Sequence, residues 1–129
     1  VDIRIGSRLD AFCTAHGKLW LAHLSPDDQD RYFKNASLKG MTDHTITDLD
    51  DLRTELAHIR DQGFSTNNGE REKDIYAIAV PILTKHGNMI SAFSVFGASV
   101  EILDQNRQSL LESTQIAAHL AKITICGAN

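Results

Sequence analysis

The chain has 129 residues, of which 42% are apolar and 23% charged, and its formal net charge is −4. Its length predicts one domain over residues 1–129, without an apolar run long enough to span a membrane. The acidic balance argues against nucleic-acid binding by this chain alone, because phosphate recognition requires a basic surface. Cys13 and Cys126 lie far apart without CxxC spacing. We therefore expect a cytoplasmic protein with two free thiols rather than a disulfide.

The first two elements are a strand and a helix. Apolar and charged residues alternate over Val1–Arg8, which predicts a strand with one buried face. Because the chain begins in the middle of this strand pattern, we expect a fragment of a larger protein. A helix is predicted from Phe12 to Leu24, and Gly17 within it indicates close packing against another backbone. Trp20 faces away from the apolar stripe of this helix, which consists of Phe12, Ala15, Leu19 and Ala22.

Two further helices carry clear start and stop signals. Ser25 caps the second, Pro26 suits its first position, and it ends near Asn35. Thr47 or Asp48 caps the third, and Gly63 is expected to end it. The apolar stripe of this third helix is predicted to be Leu49, Leu52, Leu56 and Ile59.

An apolar hairpin is the predicted centre of the fold. Ile75–Leu83 and Met89–Phe96 form its strands, and His86-Gly87-Asn88 forms its turn. Such an apolar first strand should be buried, and we expect helices on one side of the sheet. Pro81 lacks an N–H donor and is therefore expected at an edge, a bulge or a strand end.

The remaining segments complete an α+β architecture. An extended piece begins at Phe64, and Asn67-Asn68-Gly69 forms a turn or bulge. The last helix is predicted over Gln105–Cys126, capped by Asp104, with one face made of Leu110, Ser113, Ala117, Leu120 and Ile123. This element order predicts a central antiparallel sheet flanked by helices.

Three segments resemble the effector-binding domain of IclR-type (isocitrate-lyase-regulator-like) transcription factors. They are TAHGKLWLAHL, MTDHTITDLDDLRTELAHIRDQGFS and YAIAVPILTKHGNMISAFSVFG, which begin at Thr14, Met41 and Tyr76. The resemblance implies a GAF-like fold with about six antiparallel strands. It also implies a homo-oligomer, dimer or tetramer, that contacts DNA only through an N-terminal winged helix-turn-helix. That part, and the first helix and strands of the sensor domain, are expected to be missing from this chain.

The same resemblance implies a site for a small organic acid between the sheet and the first helix. Two backbone amides and four side-chain positions carry over, namely Ala15, His16, Asn67, Ala77, Ser94 and Phe96. Among the four side chains only Ser94 keeps the family's polar group, since Asn67, Ala77 and Phe96 replace an acid, a cysteine and a serine. We therefore expect an aromatic or otherwise bulky acid. Amides at a helix start suit its carboxylate.

Simpler interpretations stand beside these. Ser94 is either a satisfied core hydroxyl or a ligand contact, and Phe96 is interpreted as core packing rather than a ligand platform. Cys13 and His16, three apart on a helix, could form a nucleophile and base, but a buried inert thiol is the preferred interpretation. The six histidines show no metal-ligand spacing, and the acids Asp48, Asp50 and Asp51 suit a helix start. No metal or cofactor is expected.

Three functions follow. The leading hypothesis is a non-enzymatic, ligand-sensing regulatory domain that modulates DNA binding by the full-length oligomer. The second is a GAF-like thiol-dependent reductase that uses Cys13 or Cys126. The third is a dimerisation module that binds no ligand.

Overall fold

A computed structural model describes residues 10–126 of the chain and the side chains of residues 10–124. The strand predicted over Val1–Arg8 lies outside the described residues. The elements are a 3₁₀ turn Ala11–Cys13, α1 Ala15–Ala22, α2 Pro26–Asn35, α3 Leu49–Gln62, β1 Ser65–Asn68, β2 Tyr76–Leu83, β3 Met89–Gly97, a second 3₁₀ turn Val100–Ile102 and α4 Arg107–Cys126. The described strands form an antiparallel sheet in the order β1-β2-β3, which confirms the α+β prediction.

The first helix begins later than predicted. Phe12 belongs to the 3₁₀ turn, and α1 starts only at Ala15. The reason is Thr14, whose backbone is extended and whose hydroxyl accepts a hydrogen bond from the Gly17 amide at 3.0 Å. The close packing expected at Gly17 is confirmed, because a Cβ there would overlap the backbone of Ala11.

The second and third helices follow their sequence signals. Ser25 caps α2 and Asp48, not Thr47, caps α3. Gly63 ends α3 in the left-handed region at φ 85°, where a side chain would be strained. Leu49 is exposed, contrary to the prediction, because it occupies the first position of α3, before the helix reaches the core. The rest of the predicted stripe is buried, namely Leu52, Leu56 and Ile59.

Helices cover both faces of the sheet, so the prediction of helices on one side is wrong. The alternation of β2 explains the difference. Ala77 and Ala79 join the apolar cluster of α1 and α3. The intervening large residues pack against α4, where they meet Leu111 and Ala118, and these residues are Ile78, Val80 and Ile82.

The turn and the proline of the hairpin lie where the sequence predicted. Gly87 has φ 83° in the turn between β2 and β3. Pro81 pairs with Ala92 of β3, but β1 begins at Ser65, opposite Ala79, and does not reach Pro81. Pro81 therefore lies where β2 has only one described neighbour, next to the register shift between Ile82 and Leu83.

The last helix begins at Arg107 rather than Gln105, and of the face predicted for it only Leu110 packs against the buried cluster. The side chains that pack on the sheet are rotated by about one position, to Leu111, Thr114 and Ala118. Leu120 and Ile123 of the predicted face are instead exposed. Small side chains at the true contact allow close approach of the helix to the sheet, and apolar residues on several sides of α4 leave the stripe ambiguous in the sequence. No helix within residues 10–126 is long and apolar enough to cross a membrane.

Candidate ligand-binding site

A cavity of about 780 Å³ lies between the start of α1 and the sheet face that carries Ala77. Asn67, Ala77 and Phe96 form one row across the three strands, because Ala77 pairs with both of the others. Ser94 lies on the same face, opposite Ala79. The structure therefore brings every sequence-predicted site residue to this one cavity, namely Ala15, His16, Asn67, Ala77, Ser94 and Phe96.

The first turn of α1 supplies backbone donors. The hydroxyl of Thr14 accepts from Gly17, and its carbonyl accepts from the amide of Lys18 at 2.9 Å. Within residues 10–126, the amides of Ala15 and His16 have no acceptor. They lie at the positive end of the helix dipole and beside the cavity, an arrangement that favours an anion.

Asn67 contributes a donor where the resembled family has an acid. Its Oδ1 accepts from the backbone amide of Glu70 at 2.9 Å. Because an N–H can be accepted only by the oxygen of the side-chain amide, the group left free by this bond is the Nδ2 donor. Asn67 is 6% exposed and borders the cavity, so this position changes from an acceptor to a donor.

Ser94 and Phe96 are both solvent-accessible, which corrects the buried interpretations of each. Phe96 is 59% exposed and therefore is not a core ring, and Ser94 is not a buried hydroxyl. The eight-residue α1 covers the alanines of β2, whereas the β3 part of this face borders the open cavity. Trp20 and Ile90, also exposed, extend the apolar rim.

Sequence reasoning missed a buried ion pair that joins α1, α3 and the connection between β1 and β2. The Lys18 side chain is fully buried, and its Nζ lies 2.9 Å from the Glu70 carboxylate and 3.4 Å from that of Glu55. Glu70 Oε2 also accepts from the Asn68 amide at 3.0 Å, whereas the buried Oε1 has only the charge contact with Lys18 in the described part of the chain. The available signal was helical spacing, because Lys18 falls on the same stripe as Ala15 and Ala22.

Arg71 and Glu72 were missed as well, since the charged run that contains them resembles a solvated loop. Both line the cavity, and Arg71 Nη1 lies 2.8 Å from Glu72 Oε1. The Nε of Arg71 is shielded from solvent and has no hydrogen-bond partner in the described part of the chain. A guanidinium thus joins the backbone and amide donors of the site.

The family model described as bacterial transcriptional regulator IclR C-terminal matches residues 1–122. The chain belongs to this family. A Pca regulon regulatory protein from Pseudomonas putida is 34% identical over 95 residues, which cover 74% of this chain and 33% of that protein. The chain spans 33% to 50% of the length of three curated relatives that it matches, the Pca regulon regulatory protein among them. The expected assignment to an IclR-type regulatory domain is therefore confirmed.

Solved structures agree with the IclR assignment. The crystal structure of the Thermotoga maritima IclR superposes with a TM-score of 0.87 at 27% identity, over 100% of this chain and 51% of that one. A double mutant of the PobR inducer-binding domain from Acinetobacter, in complex with 3-hydroxybenzoic acid, gives a TM-score of 0.79 at 28% identity, over 91% and 67% of the two chains. The expected α+β fold is confirmed by these matches, and the described residues hold three of the about six strands that the resemblance implies.

The thiol of this IclR domain is not placed for nucleophilic chemistry. Cys13 is fully buried in the 3₁₀ turn rather than on α1, and its Sγ donates to the Asp10 carbonyl at 3.7 Å. Burial, with a smaller effect from the Asp10 charge, raises the pKa of Cys13 to about 11. The thiol therefore remains protonated near neutral pH. The side chain of Cys126 lies outside the described residues, and no metal-binding group of His, Cys, Asp or Glu occurs among those described.

Proposed function

We propose that this IclR domain senses an organic acid in the cavity between α1 and the sheet. The observation that supports the proposal is the convergence of donors on one space. Ala15, His16, Asn67 and Arg71 all border it, and they carry two backbone amides, a side-chain Nδ2 donor and a guanidinium. A carboxylate is the common ligand group that can accept from several such donors at once.

The apolar rim favours a ligand with an aromatic or otherwise bulky body. Trp20 is 50% and Phe96 59% exposed, and both border the cavity. Its volume of about 780 Å³ lies within the roughly 300–1,000 Å³ that small-molecule sites span, so the cavity has room for an aromatic acid. A double mutant of the PobR inducer-binding domain, which shares this fold, was solved with 3-hydroxybenzoic acid, and this supports the same ligand class here.

The proposal extends to the whole regulator. Residues 1–129 act as the sensing domain, and DNA is contacted outside them in the cytoplasm, in keeping with the net charge of −4. The effector acts by binding one arrangement of a homo-oligomer, dimer or tetramer, better than another. An exposed apolar stripe on α4 supports self-association, and it consists of Ile116, Leu120 and Ile123.

The reductase hypothesis has less support than the sensor. Turnover would require a thiolate, whereas burial keeps Cys13 protonated near neutral pH. The proposal therefore assigns no catalytic role to this domain, and Cys13→Ser should leave effector binding unchanged. Thiol-dependent turnover that disappears in Cys13→Ser would support the reductase instead.

A thermal-shift screen of aromatic and aliphatic carboxylic acids, followed by isothermal titration, tests the sensor. We expect an aromatic acid to stabilise the domain, and Ser94→Ala to weaken its binding by about 0.5 to 1.5 kcal/mol for a neutral hydrogen bond and up to about 3 for a charged one. Ser109→Ala, on the exposed side of α4, is the matched control. Unchanged affinity in Ser94→Ala would place the ligand away from β3. The absence of any acid that binds at millimolar concentration would favour the ligand-free dimerisation module.

A further inference from the structure

Arg71 is the one Arg or Lys side chain among the described residues that border the cavity. It is 25% exposed, which leaves it more buried than a surface arginine but within reach of a ligand. The residues of the first turn of α1, Ala15 and His16, line the same cavity. The guanidinium of Arg71 and the amides of Ala15 and His16, which have no acceptor within residues 10–126, therefore belong to residues that border one space.

The backbone of Arg71 is held from the neighbouring position. Glu70 is bound through its side chain to Lys18 and through its carbonyl to the Thr45 hydroxyl. Its amide donates to Asn67, which itself borders the cavity. Arg71 therefore extends from one of the most strongly bonded points of the β1–β2 connection, and little ordering of its backbone is needed when a ligand binds.

The current partner of Arg71 is a weak one. Glu72 is the next residue in the chain and is 35% exposed, and only Nη1 of the guanidinium is engaged by it. Partly exposed ion pairs contribute little stability, because both groups exchange readily with water. The Nε donor has no acceptor in residues 10–126, so the pair leaves the hydrogen-bonding capacity of the guanidinium incompletely used.

We propose that Arg71 is the residue that selects a carboxylate over a neutral ligand, and that Glu72 is an internal competitor that holds the guanidinium until the ligand's carboxylate replaces it. This inference rests on the proposed function, since it presupposes that an acid enters this cavity. The exchange substitutes one carboxylate for another on Arg71 and gives Nε an acceptor as the guanidinium turns. The affinity for the acid then depends on how much more strongly the Arg71 guanidinium binds the ligand's carboxylate than the carboxylate of Glu72.

The test compares 3-hydroxybenzoate and benzoate with their neutral amides by isothermal titration against the whole chain. The parent should prefer each acid to its amide. Arg71→Gln should weaken acid binding by about ten- to a hundredfold, and leave amide binding within about twofold, which removes the preference. Arg71→Lys should recover part of it, because the charge returns without the planar fork.

If Glu72 competes with the ligand, a substitution of Glu72 should change the affinity for the acid in the opposite direction to a substitution of Arg71. Glu72→Gln should tighten acid binding by about two- to fivefold and leave amide binding unchanged, because it frees the guanidinium. Arg31→Gln, which breaks an exposed Arg–Asp pair on α2, is the matched control and should change neither. The Arg71 Nε–H signal in a ¹⁵N-correlated spectrum of the parent is identified by its absence from the spectrum of Arg71→Gln. This signal should shift when the acid is added and stay in place when the amide is added.

The outcomes separate the two levels of the proposal. If an acid binds the parent and Arg71→Gln keeps the full preference for acid over amide, Arg71 does not select the carboxylate, while the sensing function stands. If Glu72→Gln weakens acid binding, Glu72 is a ligand contact and not a competitor. If neither acid binds the parent or Glu72→Gln at millimolar concentration, and no acid in the screen does, the sensing proposal fails together with this inference.

Discussion

The two faces of β2 have opposite roles, although they come from the same eight residues. Toward α4 the strand presents Ile78, Val80 and Ile82, which are at most 3% exposed. Toward α1 it presents Ala77 and Ala79, and a cavity of about 780 Å³ opens beside Ala77. Large branched side chains close one face, whereas methyl groups leave space on the other. The alternation of side-chain size thus encodes a core and a binding space in one strand.

The helices on the two faces differ in the same sense. The 20-residue α4 lies along the large side chains of β2. On the other face lies the eight-residue α1. Its buried Lys18 forms ion pairs with Glu70 and Glu55, which link the helix to its neighbours. An ion pair with this many hydrogen bonds fixes the position of α1 without filling the space beside it. The face toward α1 therefore combines this ion pair with the apolar packing of α1 and α3 on Ala77 and Ala79.

The largest expected effect is on the closed face. Ile78→Ala should lower the free energy of unfolding by about 2 to 5 kcal/mol, because it leaves a cavity in a site with no exposure. Ile90→Ala, at an isoleucine that is 45% exposed, should cost less than about 1 kcal/mol. Urea denaturation measures both. A loss at Ile78 no greater than at Ile90 would show that the α4 face is not the tightly packed one.

A smaller effect should distinguish two alanines of the open face. Ala79 is fully buried, so Ala79→Leu should destabilise the domain by about 1 to 3 kcal/mol through overpacking. Ala77→Leu extends into the cavity and should change stability by less than about 1 kcal/mol, while it weakens acid binding at least about tenfold by occupying the ligand's space. Denaturation and titration of both variants provide the measurement. Equal destabilisation by the two would contradict an open space at Ala77.

The sequence predicted the features that depend on local chemistry. The caps Ser25 and Asp48, the stop at Gly63 and the turn glycine Gly87 follow from backbone requirements that each residue meets alone. The face of α4 could not be predicted in this way. The residues of α4 that contact the sheet include Thr114 and Ala118, whose small side chains allow close packing, while the larger Leu120 is exposed.

The site was predicted only where the resemblance supplied positions. Spacing in the sequence could not bring Asn67 beside Ala15, because their proximity depends on the packing of α1 on the sheet. Arg71 and Glu72 belong to a charged run whose composition suits a solvated loop, and only the tertiary structure shows that they border a cavity. Lys18 is the instructive exception, since a lysine on an apolar helical stripe by itself indicates a buried partner of opposite charge.

The smallest expected effect on stability is at Phe96. This ring is 59% exposed and opposite Ala77, so Phe96→Ser should change the free energy of unfolding by less than about 0.5 kcal/mol. Removing an aromatic wall should nevertheless weaken 3-hydroxybenzoate binding, since ring–ring contacts contribute about 0.5 to 1.5 kcal/mol, and should shift preference toward smaller acids such as pyruvate. Phe93→Ser is the matched control, because Phe93 pairs with Val80 on the α4 face and is 40% exposed. It should cost more stability and leave the ranking of acids unchanged, as measured by denaturation and titration of both variants. If Phe93→Ser alters the ranking while Phe96→Ser does not, the ligand lies on the α4 side of the sheet and the contrast between the two faces is reversed.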